Sequence, residues 1–339
     1  MAIAFSTTAR PLIIGGMHRS GTSLTASLVA SAGLDLGPEL IGASASNPLG
    51  HFEDVGFQEF HARVLLAHGV GGEGYTTAAR GTVPQPLHAV ARGLVEARMA
   101  PGTPWGWKDP RTTLFLDFWA ERLPQARYLF VVRRPWEVAD SLYRRGDEAF
   151  VIDPVLAFDV WAHYNRRILD FVRRHPGRCA VFAIEQVIRD PERVLGHVRD
   201  RFELPLAAPA NRYRESLFTR DEHGTRASLV RTLAPEAWLT YLSLLEAAGA
   251  DDDASSAPAT DRTGAENAVL EWAWTRRLAS RGAAPSTPEP AAAPRRWRGL
   301  LTEVAAVSRR LLPLPVAHEA DHAVAGFVPL APGVAARAA

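Results

Sequence analysis

Between a short apolar run, Leu12 to Ile14, and a segment with Leu24, Leu28 and Val29 at helical spacing, the chain reads Gly16-Met-His-Arg-Ser-Gly21-Thr-Ser. A strand, a glycine-rich turn and a helix start in that order aim backbone N–H groups and the positive end of a helix dipole at one anion. The two glycines have phosphate-loop spacing, but Thr22 stands where ATPases and kinases carry lysine, and a cation, Arg19, lies inside the loop instead. A second switch of the same kind reads Phe130-Val-Val-Arg-Arg-Pro-Trp-Glu-Val-Ala-Asp-Ser141. Arg133 ends an apolar run and Ser141 falls two turns into the segment that follows. Ligands of open α/β sheets bind outside the carboxyl ends of the strands, where a guanidinium fork and a hydroxyl suit a second phosphate.

Met17 to Ser23 resembles the 5′-phosphosulfate loop of the sulfotransferases, and Arg133-x-Pro-x-x-Val-x-x-Ser141 resembles their 3′-phosphate motif. The resemblance extends over residues 10–205 if Glu185-x-x-x-x-Asp190-Pro191 is taken as the family's following strand and helix. It implies 3′-phosphoadenosine 5′-phosphosulfate (PAPS) as co-substrate and no divalent metal in the transfer step. It also implies His18, Arg19, Ser20, Gly21, Thr22 and Ser23 around the 5′-phosphosulfate, with Arg133 and Ser141 on the 3′-phosphate. Arg19 takes the place where family members carry Lys or Arg against the bridging oxygen and the sulfuryl group.

Two clusters lie between these motifs. Gly50-His51-Phe52-Glu53-Asp54 sets an imidazole and two carboxylates just before a helix. Sulfuryl transfer needs a group that takes the proton of the attacking hydroxyl. Glu53 resembles the base of carbohydrate- and tyrosine-type sulfotransferases, and His51 is the alternative. The plainer role for Glu53 and Asp54 is to cap the helix start. The second cluster is Trp105-Gly-Trp-Lys108-Asp109-Pro-Arg111, read as a loop at the cleft rim. Lys108 is the only lysine in the chain, and by resemblance it stabilises charge on the leaving oxygen or the sulfuryl group. Asp109 would orient Lys108 or Arg111. Trp105 and Trp107 offer either a stacking face for a sugar or adenine or ordinary core packing. Arg220 is the one residue of a C-terminal lid that the resemblance suggests.

Positioning these groups calls for an α/β fold, a P-loop-like parallel sheet flanked by helices, with a helical, partly disordered C-terminal extension. Strands are expected at Leu12–Ile14, within Arg127–Arg133 and at Cys179–Ile184. Helices are expected over 54–67, 87–99, 113–123, 135–145 and 154–174, with a turn-rich excursion over the site at 69–86. A sulfotransferase domain over 1–250 is followed by an acidic, small-residue linker with a short helix (251–294). Residues 295–339 are expected to form a basic amphipathic helix and a loose tail. Trp297, Leu300, Leu301, Val304 and Leu311 share one face of 295–312, which fits a helix docked on its own domain or one lying on a membrane surface or a partner.

A chain of 339 residues with net charge +1 gives no electrostatic case for a nucleic-acid binder. The single Cys179 suits a reducing compartment. With no basic and apolar leader and no run of membrane-spanning length, the expected location is cytoplasmic, and the expected partner is a small-molecule or glycan acceptor. The reading is a PAPS-dependent sulfotransferase acting on a hydroxyl, of a carbohydrate or a hydroxylated natural product. A P-loop kinase-like phosphotransferase and a non-catalytic nucleotide-binding or scaffold protein are the alternatives.

Overall fold

The computed structural model describes residues 10–282 except 45, 46, 48, 79, 80, 100–102, 211–223 and 253–256. The segment 295–312 and Arg220 lie outside the described residues. Four strands, β1 (Leu12–Gly15), β2 (Gly106–Lys108), β3 (Arg127–Val132) and β4 (Cys179–Ala183), form one all-parallel sheet in the order β2-β1-β3-β4. β1 and β3 are apolar along almost their whole length because both faces of a parallel sheet are covered by helices. Alternate residues feed two cores. Leu12, Ile14, Leu129 and Val131 pack on one side, and Ile13, Tyr128, Phe130 and Val132 on the other.

Helices α1 (Thr22–Ser31), α2 (Val55–Ala67), α3 (His88–Arg98) and α4 (Leu116–Arg122) precede β3. After it come α5 (Pro135–Arg145), α6 (Glu148–Ile152), α7 (Leu156–Arg174), α8 (Ile184–Arg189) and α9 (Pro191–Phe202), then α10 (Thr225–Leu233), α11 (Pro235–Ala248) and α12 (Arg262–Gly282). Proline opens α5, α9 and α11, where a missing N–H costs nothing, and left-handed Gly146 and Gly249 close α5 and α11.

The stretch expected as a rim loop around Trp105 is instead the strand β2. Its Gly106 is required because a Cβ there would lie 1.9 Å from the Leu12 carbonyl oxygen. The expected helix 113–123 is divided into a 3-10 turn, Pro110–Phe115, and α4. The helix read inside the acidic linker is α12, which packs on the main body. Ala265, Val269 and Ala273 are buried in the larger core, and Trp272 Nε1 and Arg276 Nε donate to Asp140 of α5 at 2.9 and 2.7 Å. Among the described residues no helix is long and apolar enough to cross a membrane.

Candidate active site

The chain leaves β1 for β2 on one side and returns to β3 on the other, so the strand order reverses between β1 and β3. Loops after those two strands diverge and leave a crevice at their carboxyl ends. A cleft of about 430 Å³ opens there, within the range of small-molecule sites. Five cationic side chains line it (Arg19, Lys108, Arg111, Arg133 and Arg145) against the two carboxylates Glu53 and Glu73.

The first loop is shaped by its backbone. Gly16 has φ 147, and a Cβ there would sit 2.6 Å from the Val131 carbonyl oxygen. Its N–H is held by the Thr113 hydroxyl at 3.2 Å. Gly21 has φ 91 and backs directly onto Ile184. Between them Arg19 also takes a left-handed φ of 67, uncommon for a residue with a Cβ. No side chain caps α1, so the N–H groups of its first turn remain for a ligand. Ser20 Oγ and His18 Nε2 are buried polar atoms with no partner among the described residues. Burial, helped by Arg111, pushes the His18 imidazole well below its ordinary 6.5, so it is neutral at pH 7.

Arg19 joins the two phosphate motifs. Its Nε donates to Ser141 Oγ at 2.8 Å, and its carbonyl accepts from Arg133 Nη1 at 3.3 Å. Arg133 is fixed from behind by Glu137 at 2.7 Å. No described carboxylate is within ion-pair reach of Arg19. Burial, followed by the charges of Arg145, Arg133 and Arg144, lowers its guanidinium to about 10. A half-buried cation crowded by other cations is poised for an anionic ligand.

Lys108 ends β2, and its Nζ donates to Ser23 Oγ (3.2 Å), the His51 carbonyl (3.1 Å) and Glu53 Oε1 (2.7 Å). The chain's one lysine therefore reaches the first turn of the loop helix from a neighbouring strand. Glu53 is itself 5% exposed, and its second oxygen accepts from Arg111 Nη1 at 3.3 Å. A turn through Gly50 (φ 99) and Phe52 (φ 55) precedes it, a strained backbone of the kind that gathers at functional sites. Asp54 does the capping: it accepts from Gly56 and Phe57 N–H and pairs with Arg98 at 2.7 Å. The His51 ring lines the cleft with Nε2 3.0 Å from Ser44 Oγ, and burial lowers its basicity.

Asp109 orients Arg111 rather than Lys108, through Arg111 N and Nη1, both at 3.0 Å. Burial alone would raise its carboxyl, but Arg111 and the His61 ring outweigh burial and hold it below the usual carboxylate range. The tryptophans are not a stacking face. Trp107 is fully buried, lies parallel on Phe57 at 4.1 Å and donates to Thr112, while Trp105 is 6% exposed.

The excursion 69–86 does reach the site. The Gly72 carbonyl accepts from Arg111 Nε at 2.6 Å, and Glu73 sits between Arg111 and Arg145. Tyr75 packs edge-on to His18 and accepts from Arg145 Nη1 at 3.1 Å. Arg145 and His61 were missed from sequence. Arg145 lies four residues after Ser141, on the same helix face, a spacing that could have signalled it.

A family model described as the sulfotransferase family matches residues 11–208. Among solved structures the chain is similar to the sulfotransferase domain from the Synechococcus PCC 7002 olefin synthase, at 21% identity over 93% of this chain and 100% of that one, with a TM-score of 0.38. It is similar to a sulfotransferase from Alicyclobacillus acidocaldarius (17% identity, 73% and 99% covered, TM-score 0.44). It is also similar to sulfotransferase STF9 from Mycobacterium avium (16%, 80% and 77%, 0.45). No curated protein matches the chain.

Proposed function

The chain belongs to the sulfotransferase family, and from that premise we propose that it transfers the sulfuryl group of PAPS to the hydroxyl of a carbohydrate or hydroxylated natural product. The observation that carries this reading is Arg19: half-buried, without a carboxylate partner among the described residues, and hydrogen-bonded to Ser141 across the crevice between the β1 and β3 loops. That contact brings the two motifs side by side, which supports a single site for a 3′,5′-bisphosphate. The fit is supported by the glycine cradle at Gly16 and Gly21 and by the orphaned Ser20 hydroxyl.

When bound, PAPS supplies an activated sulfuryl group on a phosphate leaving group. Arg19, the first-turn N–H groups of α1 and Ser23 hold the 5′ end, while Arg133 and Ser141 hold the 3′-phosphate. Lys108, 3.2 Å from Ser23, offers an ammonium to the charge that grows on the leaving oxygen. Glu53, between Lys108 and Arg111, accepts the acceptor's proton. His51 is the second candidate for that proton. Glu53 is preferred because both its oxygens are fixed by cations, so that one positive charge becomes surplus once it is neutralised. That surplus offsets negative charge in the cleft.

A kinase-like phosphotransferase would need an aspartate free to hold magnesium at a strand end. Asp109 is the one in place, and it is fully buried and engaged by His61 and Arg111. The test is transfer from sulfur-labelled PAPS across a panel of hydroxyl acceptors without magnesium. Labelled product formation that is lost in Arg19→Ala supports the reading, and transfer of phosphate from ATP in its place overturns it.

A further inference from the structure

His61 lies within an otherwise apolar stripe of α2, and its side chain is completely buried. Both ring nitrogens are engaged. Trp119 Nε1 donates to His61 Nε2 at 2.9 Å. An indole nitrogen only donates, so Nε2 is the bare nitrogen and the ring proton sits on Nδ1, 2.7 Å from Asp109 Oδ2. Phe115 lies parallel to the imidazole with ring centroids 5.6 Å apart. Asp109 passes the constraint on through its other oxygen, which accepts from the backbone N and Nη1 of Arg111, and Nη1 in turn donates to Glu53 Oε2.

We propose that His61 is a positioning residue for the transfer reaction: Trp119 fixes its tautomer, and its Nδ1–H holds Asp109 so that Arg111 keeps the Glu53 carboxylate aimed into the cleft beside Lys108. The proposal rests on the reading of Glu53 as the group that takes the acceptor's proton. Charge balance explains why an imidazole suits this place. With His61 neutral, Asp109 and Glu53 cancel Lys108 and Arg111 in a nearly dry pocket. A carboxylate or an ammonium at position 61 would leave a surplus buried charge. An apolar side chain would leave Asp109 Oδ2 without its hydrogen bond, free to draw Arg111 away from Glu53.

The test compares His61→Phe, which keeps a ring but no donor, with His61→Asn, whose amide N–H stands near the place of Nδ1–H. PAPS is supplied with water as acceptor, and release of adenosine 3′,5′-bisphosphate is followed. His61→Phe lowers kcat by about 10²-fold, the scale of a misplaced catalytic group, while KM for PAPS stays within about twofold. His61→Asn recovers most of the rate, and both variants bind adenosine 3′,5′-bisphosphate as the wild type does. Nitrogen-15 spectra show a protonated Nδ1 and a bare Nε2 in the wild type, and the Arg111 Nε–H resonance moves in His61→Phe. If His61→Phe does not fold, Trp119→Phe, which removes the tautomer-fixing donor together with part of a buried ring, gives an intermediate loss of kcat and the same shift of the Arg111 Nε–H resonance.

Wild-type turnover in His61→Phe, equal losses in both His61 variants, or a protonated Nε2 overturns the proposal. A wild-type protein that neither binds the bisphosphate nor releases it from PAPS defeats the sulfuryl-transfer reading instead. The tautomer and the Arg111 resonance then decide the positioning role by themselves.

Discussion

Replacing Glu53 by glutamine separates the carboxylate's two roles, taking a proton and balancing buried charge. In the wild type Oε1 is 2.7 Å from Lys108 Nζ and Oε2 is 3.3 Å from Arg111 Nη1, all nearly excluded from solvent. The Lys108 contact corresponds to about 6 kcal/mol of Coulomb attraction at an effective dielectric of about 20. Removing one partner of such a buried group costs about 3–5 kcal/mol net of desolvation, and glutamine, which keeps hydrogen bonds, falls near the lower end. The ligand-free variant therefore melts about 6–12 °C below the wild type. Lys108 loses its carboxylate while Arg111 keeps Asp109 and Glu73, so one surplus positive charge remains beside the loop after β1, and adenosine 3′,5′-bisphosphate binds at least as tightly and restores more of the lost stability than in the wild type. Sulfuryl transfer falls by about 10²–10⁴-fold, the usual contribution of a positioned base. Differential scanning fluorimetry with and without the bisphosphate, together with PAPS turnover, reads all three quantities. Wild-type turnover, or bisphosphate affinity that drops along with the melting temperature, refutes the reasoning.

Gly16→Ala puts a Cβ 2.6 Å from the Val131 carbonyl in a backbone with φ 147, and it is expected to cost about 1–3 kcal/mol of stability and to abolish bisphosphate binding by calorimetry. Ser141→Ala removes one hydrogen bond from the 3′ position, so affinity for adenosine 3′,5′-bisphosphate falls about five- to tenfold, while that for adenosine 5′-phosphate falls less, through the freed Arg19 Nε alone. His163 on α7 is held at about 4 by burial, with Arg167 and Arg166 adding to the effect, below its ordinary 6.5. The unfolded chain takes up a proton there before the folded one does. Stability is therefore full above pH 6.5 and declines as pH falls from 6.5 towards 4. Urea unfolding at pH about 7.5 and about 5 shows that slope, and His163→Gln flattens it.

The parallel sheet and its two strand-to-helix turns were legible because each is local: an apolar run, then glycines or an arginine, then helical spacing. β2 was not. Three residues are too few to show periodicity, and Gly106 is explained only by the Leu12 backbone lying against it. The Lys108 to Arg111 segment stood out by composition, yet its pairing with Glu53 closes a gap of more than fifty residues that no spacing rule reaches. His61 was hidden for the same reason. It sits in the stripe of Phe57, Phe60 and Val64, and its partners Asp109 and Trp119 lie 48 and 58 residues away. The tryptophans misled as rim residues because aromatic pairs beside charged groups look alike whether they face a ligand or a core. Here Phe57 and Trp119 claim Trp107 for the core.

One titration bears most directly on the two-phosphate site proposed for Arg19, Arg133 and Ser141. With magnesium removed by chelation, adenosine 3′,5′-bisphosphate and ATP are each titrated into the protein by calorimetry. Tight binding of the bisphosphate, much weaker binding of ATP, and loss of the bisphosphate signal in Arg19→Ala are expected. Tighter binding of ATP, or bisphosphate binding that appears only with magnesium, would contradict the proposed site.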